Sequence, residues 1–269
     1  MFLRARTVFA AALLLVAAPI ASHAALGSYV ESFEGLNIAD PAALGTAGWL
    51  VYGNVYQPNG TTYLYGYGPY PAPNGGSAFS DIDTGQGGPE QGAQQLSVYS
   101  DYNNADHAVG NIIESNVYRE MTIGAGDAGT SWTFQFDAKL GNLLSPSTAS
   151  AFIKTLDPNN GYQTTNYLPI DMTAIPTTWN TYTISINVGA GLVGQLLQIG
   201  FANRATNYIS SGVYYDNVVF QQNTTGVGDG NRPMVLDLRP NSPNPFHGST
   251  RLDWSLAQSG AADVSVFDV

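Results

Sequence analysis

Residues 111–139 read NIIESNVYREMTIGAGDAGTSWTFQFDAK. Over Asn116–Ile123, the inward set Val117, Arg119, Met121 and Ile123 alternates with Tyr118, Glu120 and Thr122. Over Ser131–Lys139 the alternation is cleaner, with Trp132, Phe134, Phe136 and Ala138 against Thr133, Gln135, Asp137 and Lys139. A period of two, carried by aromatic and β-branched residues, is the pattern of a strand with one buried face. Between these two strands, Gly124–Gly129 matches G-x-G-x-x-G literally. A dinucleotide site needs a helix after that motif, because the helix N-terminus holds the pyrophosphate. A second strand follows instead, so the motif is expected to be a hairpin turn.

The same signature recurs on both sides. Upstream, Leu26–Gly35 reads as an opening strand anchored by Tyr29 and Phe33, and Trp49–Val55 as a second. Residues 56–76, YQPNGTTYLYGYGPYPAPNGG, form a hairpin or long loop whose tyrosines should reach the surface. Ser77–Ile82 and Gln94–Asp101 are further strand candidates around a polar loop. Downstream come Ala149–Leu156, the weaker Thr164–Met172, Trp179–Val188, Leu196–Asn203 and Gly212–Phe220. Only Gly189–Gln195 suggests a helical turn. About ten strands separated by turn signals predict an all-β protein, an antiparallel β-sandwich or jelly roll.

Composition agrees with that class. At 269 residues and 44% hydrophobic, the chain can bury one large or two small cores. Charged residues make up 11%, with 30 Gly and 16 Tyr, which suits an extracellular all-β protein and not a helical bundle. A net charge of −11 leaves no basic patch to neutralise phosphates, so nucleic acid is not an expected partner. An acidic surface suits divalent cations, and solubility alone accounts for it equally well. The absence of cysteine excludes thiol catalysis, Cys-ligated zinc and iron–sulfur chemistry. It also leaves stability to the core and any bound ion.

Met1–Ala24 has the layout of a bacterial Sec signal peptide: Arg4 and Arg6, the apolar run Val8–Ile20, and Ser22-His23-Ala24 before the cleavage point. The apolar run is short for a membrane span, and no second one follows. A secreted or cell-surface protein is expected. Residues 25–220 then form the sandwich domain, and Gln221–Arg232 (QQNTTGVGDGNR) opens a linker over 221–233. Residues 234–269 form a separate β segment.

Two resemblances attach to these segments. The pieces SFEG at Ser32–Gly35, VYREMTI and WTFQFDAK within Val117–Lys139, WNTYTISINV at Trp179–Val188 and YYDNVVF at Tyr214–Phe220 resemble the jelly-roll carbohydrate-binding modules and galactose-binding-like domains. The tail, LRPNSPNPFHGSTRLDWSL at Leu238–Leu256 followed by ADVSVFDV, is similar to the C-terminal sorting domain of type IX exported proteins. It is equally similar to the Ig-like domain of the flagellar hook-capping protein. Both begin with a Pro-Asn-Pro-Phe-Asn-Pro turn; here His247-Gly248 replaces the usual Asn-Pro. Those domains continue through several more strands, so an incomplete Ig-like segment and a C-terminal truncation are expected. The resemblance implies contact with the secretion machinery.

The first resemblance also implies a structural calcium between the first and last strands, held by Glu34 and Asp216. Sugars stack their C–H faces on aromatic rings rimmed by polar groups. Tyr63, Tyr65, Tyr67 and Tyr70 lead as ligand-binding candidates, with Trp49 and Tyr102 behind them, and an extracellular polysaccharide is the implied partner. The alternation 63/65/67 equally fits a core-facing row. No nucleophile elbow, zinc-protease motif or phosphate loop occurs. His107 is read as a solvated loop residue and Asp81-x-Asp83-x-Gly85 as a loop. Glu90, Glu114 and Glu120 are available carboxylates, but no spacing pairs them. The chain is read as a non-catalytic glycan-binding module. A structural or adhesive surface protein is the alternative, and a β-sandwich hydrolase or lyase the weaker one.

Overall fold

The computed structural model describes residues 25–71, 79–223, 237–238 and 254–255. The signal-peptide reading, most of the linker and most of the tail lie outside these residues. In chain order the elements are β1 (Tyr29–Glu31), α1 (Ala43–Thr46), β2 (Leu50–Tyr56), β3 (Tyr63–Tyr67), β4 (Ser80–Thr84) and β5 (Gln94–Val98). Then follow β6 (Ile112–Thr122), β7 (Ser131–Leu140), β8 (Thr148–Asp157), β9 (Gln163–Asp171), β10 (Asn180–Asn187), β11 (Leu196–Ala205) and β12 (Val213–Gln222). A separate unit begins at Thr224, and within it β13 (Asp237–Leu238) pairs with β14 (Trp254–Ser255).

The first unit is an antiparallel β-sandwich. One six-stranded sheet runs β10-β7-β12-β5-β4, with β1 also on β12; the other runs β3-β2-β6-β11-β8-β9. Opening and closing strands are neighbours, with Tyr29 opposite Phe220 and Glu31 opposite Val218. On the same edge of β12, β5 pairs with Val213–Tyr215. The two partners are therefore separated by a gap at Asp216 and Asn217, where the ladder to β7 is also interrupted by a bulge.

The core follows directly from the alternation. Trp132, Phe134, Phe136 and Ala138 of β7 are buried, as are Leu96, Val98, Tyr215 and Phe220 of the same sheet. They meet Trp49, Val51, Val117, Ile153, Ile199 and Phe201 from the other side. Phe201 is the centre of this aromatic layer. It stacks on Tyr215 at 3.7 Å between ring centroids, meets Phe136 edge-on at 5.1 Å and lies 6.1 Å from Trp49.

The turn joining β6 to β7 is not a hairpin. β6 belongs to one sheet, between β2 and β11, and β7 to the other, between β10 and β12. Residues 124–129 carry the chain across the end of the sandwich through a 3₁₀ turn at Ala125–Asp127. Asp127 is buried there, and its Oδ2 accepts the N–H groups of Leu26 (2.9 Å) and Gly124 (2.7 Å). Alternation reports which face of a strand is buried; it does not report which sheet owns the strand. Two inward-facing strands suit a connection across a gap of about 10 Å as well as they suit a hairpin. The Asp81-x-Asp83 segment is likewise not a loop: both residues lie on β4, on its outward face, beside buried Ile82.

Candidate functional site

The inward residues of the second sheet fix what its outer face must carry. Val51 and Val55 of β2 point into the core, so Tyr52, Asn54 and Tyr56 point out. Register then sets rows across the strands. Leu50, Tyr118, Gly200, Phe152 and Pro169 form one row, and Tyr52, Asn116, Ala202, Ser150 and Asp171 the next. Asn54, Glu114, Arg204 and Thr148 form a third. The middle strand contributes the small residues Gly200 and Ala202, so the face is low at its centre and flanked by aromatic side chains. Tyr52 lies 6.4 Å from Tyr118 on one flank, and on the other exposed Tyr167 packs 6.2 Å from Phe152, which is itself buried.

Glu114 is the polar hub of this face. Its Oε1 accepts from the amides of Asn54 (3.2 Å) and Asn116 (3.3 Å), and its Oε2 lies 3.4 Å from Arg204 Nε. Arg204 also donates to the carbonyl of Gly60 (2.6 Å) and places its guanidinium 5.0 Å from the Tyr56 ring. Burial and then Glu114 push the Tyr56 hydroxyl up to about 12, with Arg204 pulling the other way. Further along, Gln198 donates to Glu120 (2.7 Å). The Lys154 ammonium sits 5.0 Å from the Phe152 ring and is held below its usual range by burial, opposed by Glu114 and Glu120. The face thus presents fixed donors and acceptors between tyrosine rings.

Of the ligand candidates read from the sequence, Tyr63 joins this face. It is exposed and meets Tyr56 edge-on at 5.8 Å. A register shift between Val55 and Tyr56 brings it to the outer side. Tyr65 and Tyr67 lie opposite Val55 and Gly53, inward positions, and so lean over the sandwich rim instead. Their hydroxyls donate to Asp106 (2.5 Å) and Asp101 (3.0 Å). Tyr67 and Tyr70 both pack edge-on against buried Phe79. Trp49 is a correction to the sequence reading: it is 1% exposed and offers no platform. It precedes β2 at an inward position, stacks on Phe201, and donates from Nε1 to the Tyr29 hydroxyl (3.0 Å). Tyr102 is similarly committed, its hydroxyl shared by Ser211 Oγ (2.6 Å) and the Ile209 carbonyl (3.1 Å).

His107 is also not the solvated residue expected. It is fully buried beside Ser100, with Nε2 3.2 Å from Oγ, and its ring packs on Tyr102 and Tyr208. A 3₁₀ turn at Ala105–Val109, capped by Asn104, folds it inward. Burial pulls its pKa below the ordinary histidine value, opposed by Asp101 and Asp106. The unfolded chain therefore binds the extra proton first as pH drops below about 6.5. Stability present above that pH is lost as pH falls toward the depressed folded value. His107→Phe is expected to flatten the fall in melting temperature between about pH 7 and pH 5. Parallel curves for variant and parent would contradict this assignment.

Asp216 lies at the gap between β1 and β5, and Glu34 stands near enough to act on its charge. Glu34 Oε1 accepts from the backbone N–H groups of Ala93 and Gln94, both at 2.7 Å. Asp216 is fully buried; its Oδ1 accepts from Asn217 N (2.6 Å), while Oδ2 has no protein partner. Burial, with Glu34, Asp137 and Glu31 adding, pushes the Asp216 carboxyl up to about 8. Gln91 donates to Asp137 (2.8 Å), and its own carbonyl oxygen Oε1 is buried without a partner. Asn217 reaches the same Asp137 oxygen at 2.8 Å. Among the described residues no three carboxylates or imidazoles converge as a ready cation cage. What the gap does supply is the orphaned, buried Asp216 Oδ2 with other carboxylates near it, and calcium accepts carboxylate, amide and backbone oxygens together. The donor set fits that ion.

No protein-family model and no curated protein matches the chain. Among solved structures it is similar to the enzymatically active domain of bacteriophage CBA120 tailspike protein 4, at 14% identity and TM-score 0.42, covering 72% of this chain and 22% of that one. The chain thus spans about a fifth of the tailspike protein's length. It is also similar to the CBM22-1 xylan-binding domain from Paenibacillus barcinonensis Xyn10C, at 13% identity and TM-score 0.39, covering 75% of this chain and 96% of that one. A cyclase from Fischerella sp. TAU gives 15% identity and TM-score 0.40, with 72% and 93% covered.

Proposed function

We propose that the protein is an exported, non-catalytic module that binds a polysaccharide on the outer face of its second sheet. The observation that carries this reading is the Glu114 hub set among Tyr52, Tyr56 and Tyr118. Pyranose rings need apolar platforms for their C–H faces and fixed polar partners for their hydroxyls, and this face supplies both. The hub is held rigid by Asn54, Asn116 and Arg204, so little side-chain ordering remains to oppose binding.

Hydrolysis of a glycosidic bond does not suit the same face. Glu114 and Glu120 share it, but six residues along an extended strand put their Cα atoms roughly 20 Å apart. Paired glycosidase carboxylates stand about 5–9.5 Å apart. The test of binding is retention on insoluble xylan and cellulose. The parent chain is expected to be retained and the Tyr52→Ala/Tyr118→Ala variant to be retained at least tenfold more weakly. Equal retention of the two would refute this face as the site.

A structural calcium at the β12 gap belongs to the same reading, held by Asp216 and Glu34. It would neutralise the buried carboxyl group and tie the chain's opening and closing strands. Saturating calcium is expected to raise the melting temperature of EDTA-treated protein by about 5–10 °C, as binding to the folded state alone requires. Asp216→Asn should remove that rise while keeping the fold. An unchanged melting temperature in the parent would contradict the ion. The unit beginning at Thr224 is read as the sorting segment that engages the secretion machinery and leaves the module at the cell surface.

A further inference from the structure

The first sheet carries a row of outward side chains that the reading above does not use. Its register sets Lys139 opposite Tyr214, Tyr214 opposite Ser97, and Ser97 opposite Asp81. Their chain neighbours Ala138, Tyr215, Leu96, Val98 and Ile82 all point into the core, which fixes this row on the outside. Trp179, immediately before β10, closes the row on the other side of Lys139. The Lys139 ammonium lies 5.3 Å from the Trp179 ring centroid and 5.4 Å from that of Tyr214. Lys139 Nζ and Trp179 Nε1 both donate to the Gln86 carbonyl, at 2.6 and 3.0 Å. All three side chains are partly exposed. The Trp179 ring is pinned through Gln86, and the two rings flank a cation.

We propose that Trp179, Lys139 and Tyr214 form a second binding site, for a neutral, extended pyranose polymer laid across the strands. The rings belong to positions two strand spacings apart, about 10 Å, so each can take the C–H face of a different sugar along one chain. An ammonium has three donors, and one is used by Gln86. The others face the hydroxyl and ring oxygens of a sugar chain passing between the platforms. Ser97 and Asp81 continue the row with a hydroxyl and a carboxylate. Charge selects against a polyuronate. Asp81 and Asp83 share this outer face, and the whole chain carries −11. The site lies on the opposite sheet from Glu114, so it stands or falls separately from the first face.

The experiment is calorimetric titration of the full chain with xylohexaose and cellohexaose, beside hexagalacturonate. Two neutral hexasaccharides are expected per chain. Trp179→Ala/Tyr214→Ala should leave one, and should weaken retention on the insoluble polymer at least tenfold by removing one of two linked contacts. Tyr52→Ala/Tyr118→Ala should leave the second site intact; a parent stoichiometry of one that responds to Trp179 alone would refute the first face and keep this one. In the unmodified protein the hexasaccharide should change tryptophan emission, and Trp179→Phe should bind and lose that change. This fluorescence arm holds even where the double variant fails to fold. Unchanged stoichiometry and emission, preference for hexagalacturonate, or no binding of any hexasaccharide would each overturn the proposal.

Discussion

Replacing Phe201 by Ala is expected to lower the unfolding free energy by about 3–5 kcal/mol, the range for deleting a buried aromatic ring. Phe201 is fully buried at the centre of β11, and four rings close on it: Tyr215, Phe136, Phe134 and Trp49. Tyr215 and Phe136 come from the first sheet, so the ring is a principal contact between the layers. The surrounding strands are each paired on both sides, as β11 is by β6 and β8, and cannot collapse into the space left behind. Urea unfolding of parent and variant measures the difference. A loss below about 1 kcal/mol would mean that the sheets are not stacked through this residue. Phe201→Leu, which keeps most of the volume, should recover a substantial part of the loss.

Glu114→Ala is expected to weaken polysaccharide affinity about 10- to 100-fold, or about 1.4–2.8 kcal/mol. Its effect exceeds that of any one tyrosine because three other side chains take their positions from it. Without the carboxylate, Asn54 loses the acceptor that aims its amide, Asn116 keeps only the Glu114 backbone carbonyl (3.1 Å), and Arg204 loses its ion pair. Arg204 keeps its bond to Gly60 and its place over Tyr56, so the fold itself should lose little. Glu114→Gln retains an acceptor for the two amides and should fall between parent and Ala. Calorimetric titration with a neutral hexasaccharide, beside a melting curve, separates the two effects. A binding loss matched by an equal loss of stability would point to unfolding and not to the site.

The layers were legible in the sequence because burial writes itself locally. Trp132, Phe134 and Phe136 needed nothing beyond their own spacing to be placed inside, and Tyr29 and Phe220 fell on strands that prove to be neighbours. What spacing could not supply was pairing. The β6–β7 connection looked like a hairpin because a short glycine-rich turn serves a hairpin and a crossover equally. The binding face was hidden for the same reason. Tyr52, Asn116, Ala202 and Ser150 are adjacent only through register, across three strand boundaries. The signal for it was present in β2, where Tyr52, Asn54 and Tyr56 alternate with Val51 and Val55 and so define a polar aromatic outer side.

The tyrosine-rich tract drew attention through composition, yet composition does not say which way a ring points. Tyr65 and Tyr67 sit opposite inward residues and end on Asp106 and Asp101, while a one-residue shift puts Tyr63 outside. Trp49 misled for a related reason. A tryptophan at the mouth of a strand suits a platform or a core plug, and the inward register of Val51 makes it a plug. His107 depended on a local fold-back that its polar neighbours Asn103, Asn104 and Asp106 disguised as open loop.

The most direct measurement is the map of backbone amide shifts when isotopically labelled protein is titrated with xylohexaose or cellohexaose. Shifts are expected on Tyr52, Asn54, Tyr56, Glu114, Tyr118 and Arg204, the outer face of the second sheet, as a set separate from any on Lys139, Trp179 and Tyr214. Shifts confined to Tyr65–Tyr70, or none from either sugar at millimolar concentration, would contradict it.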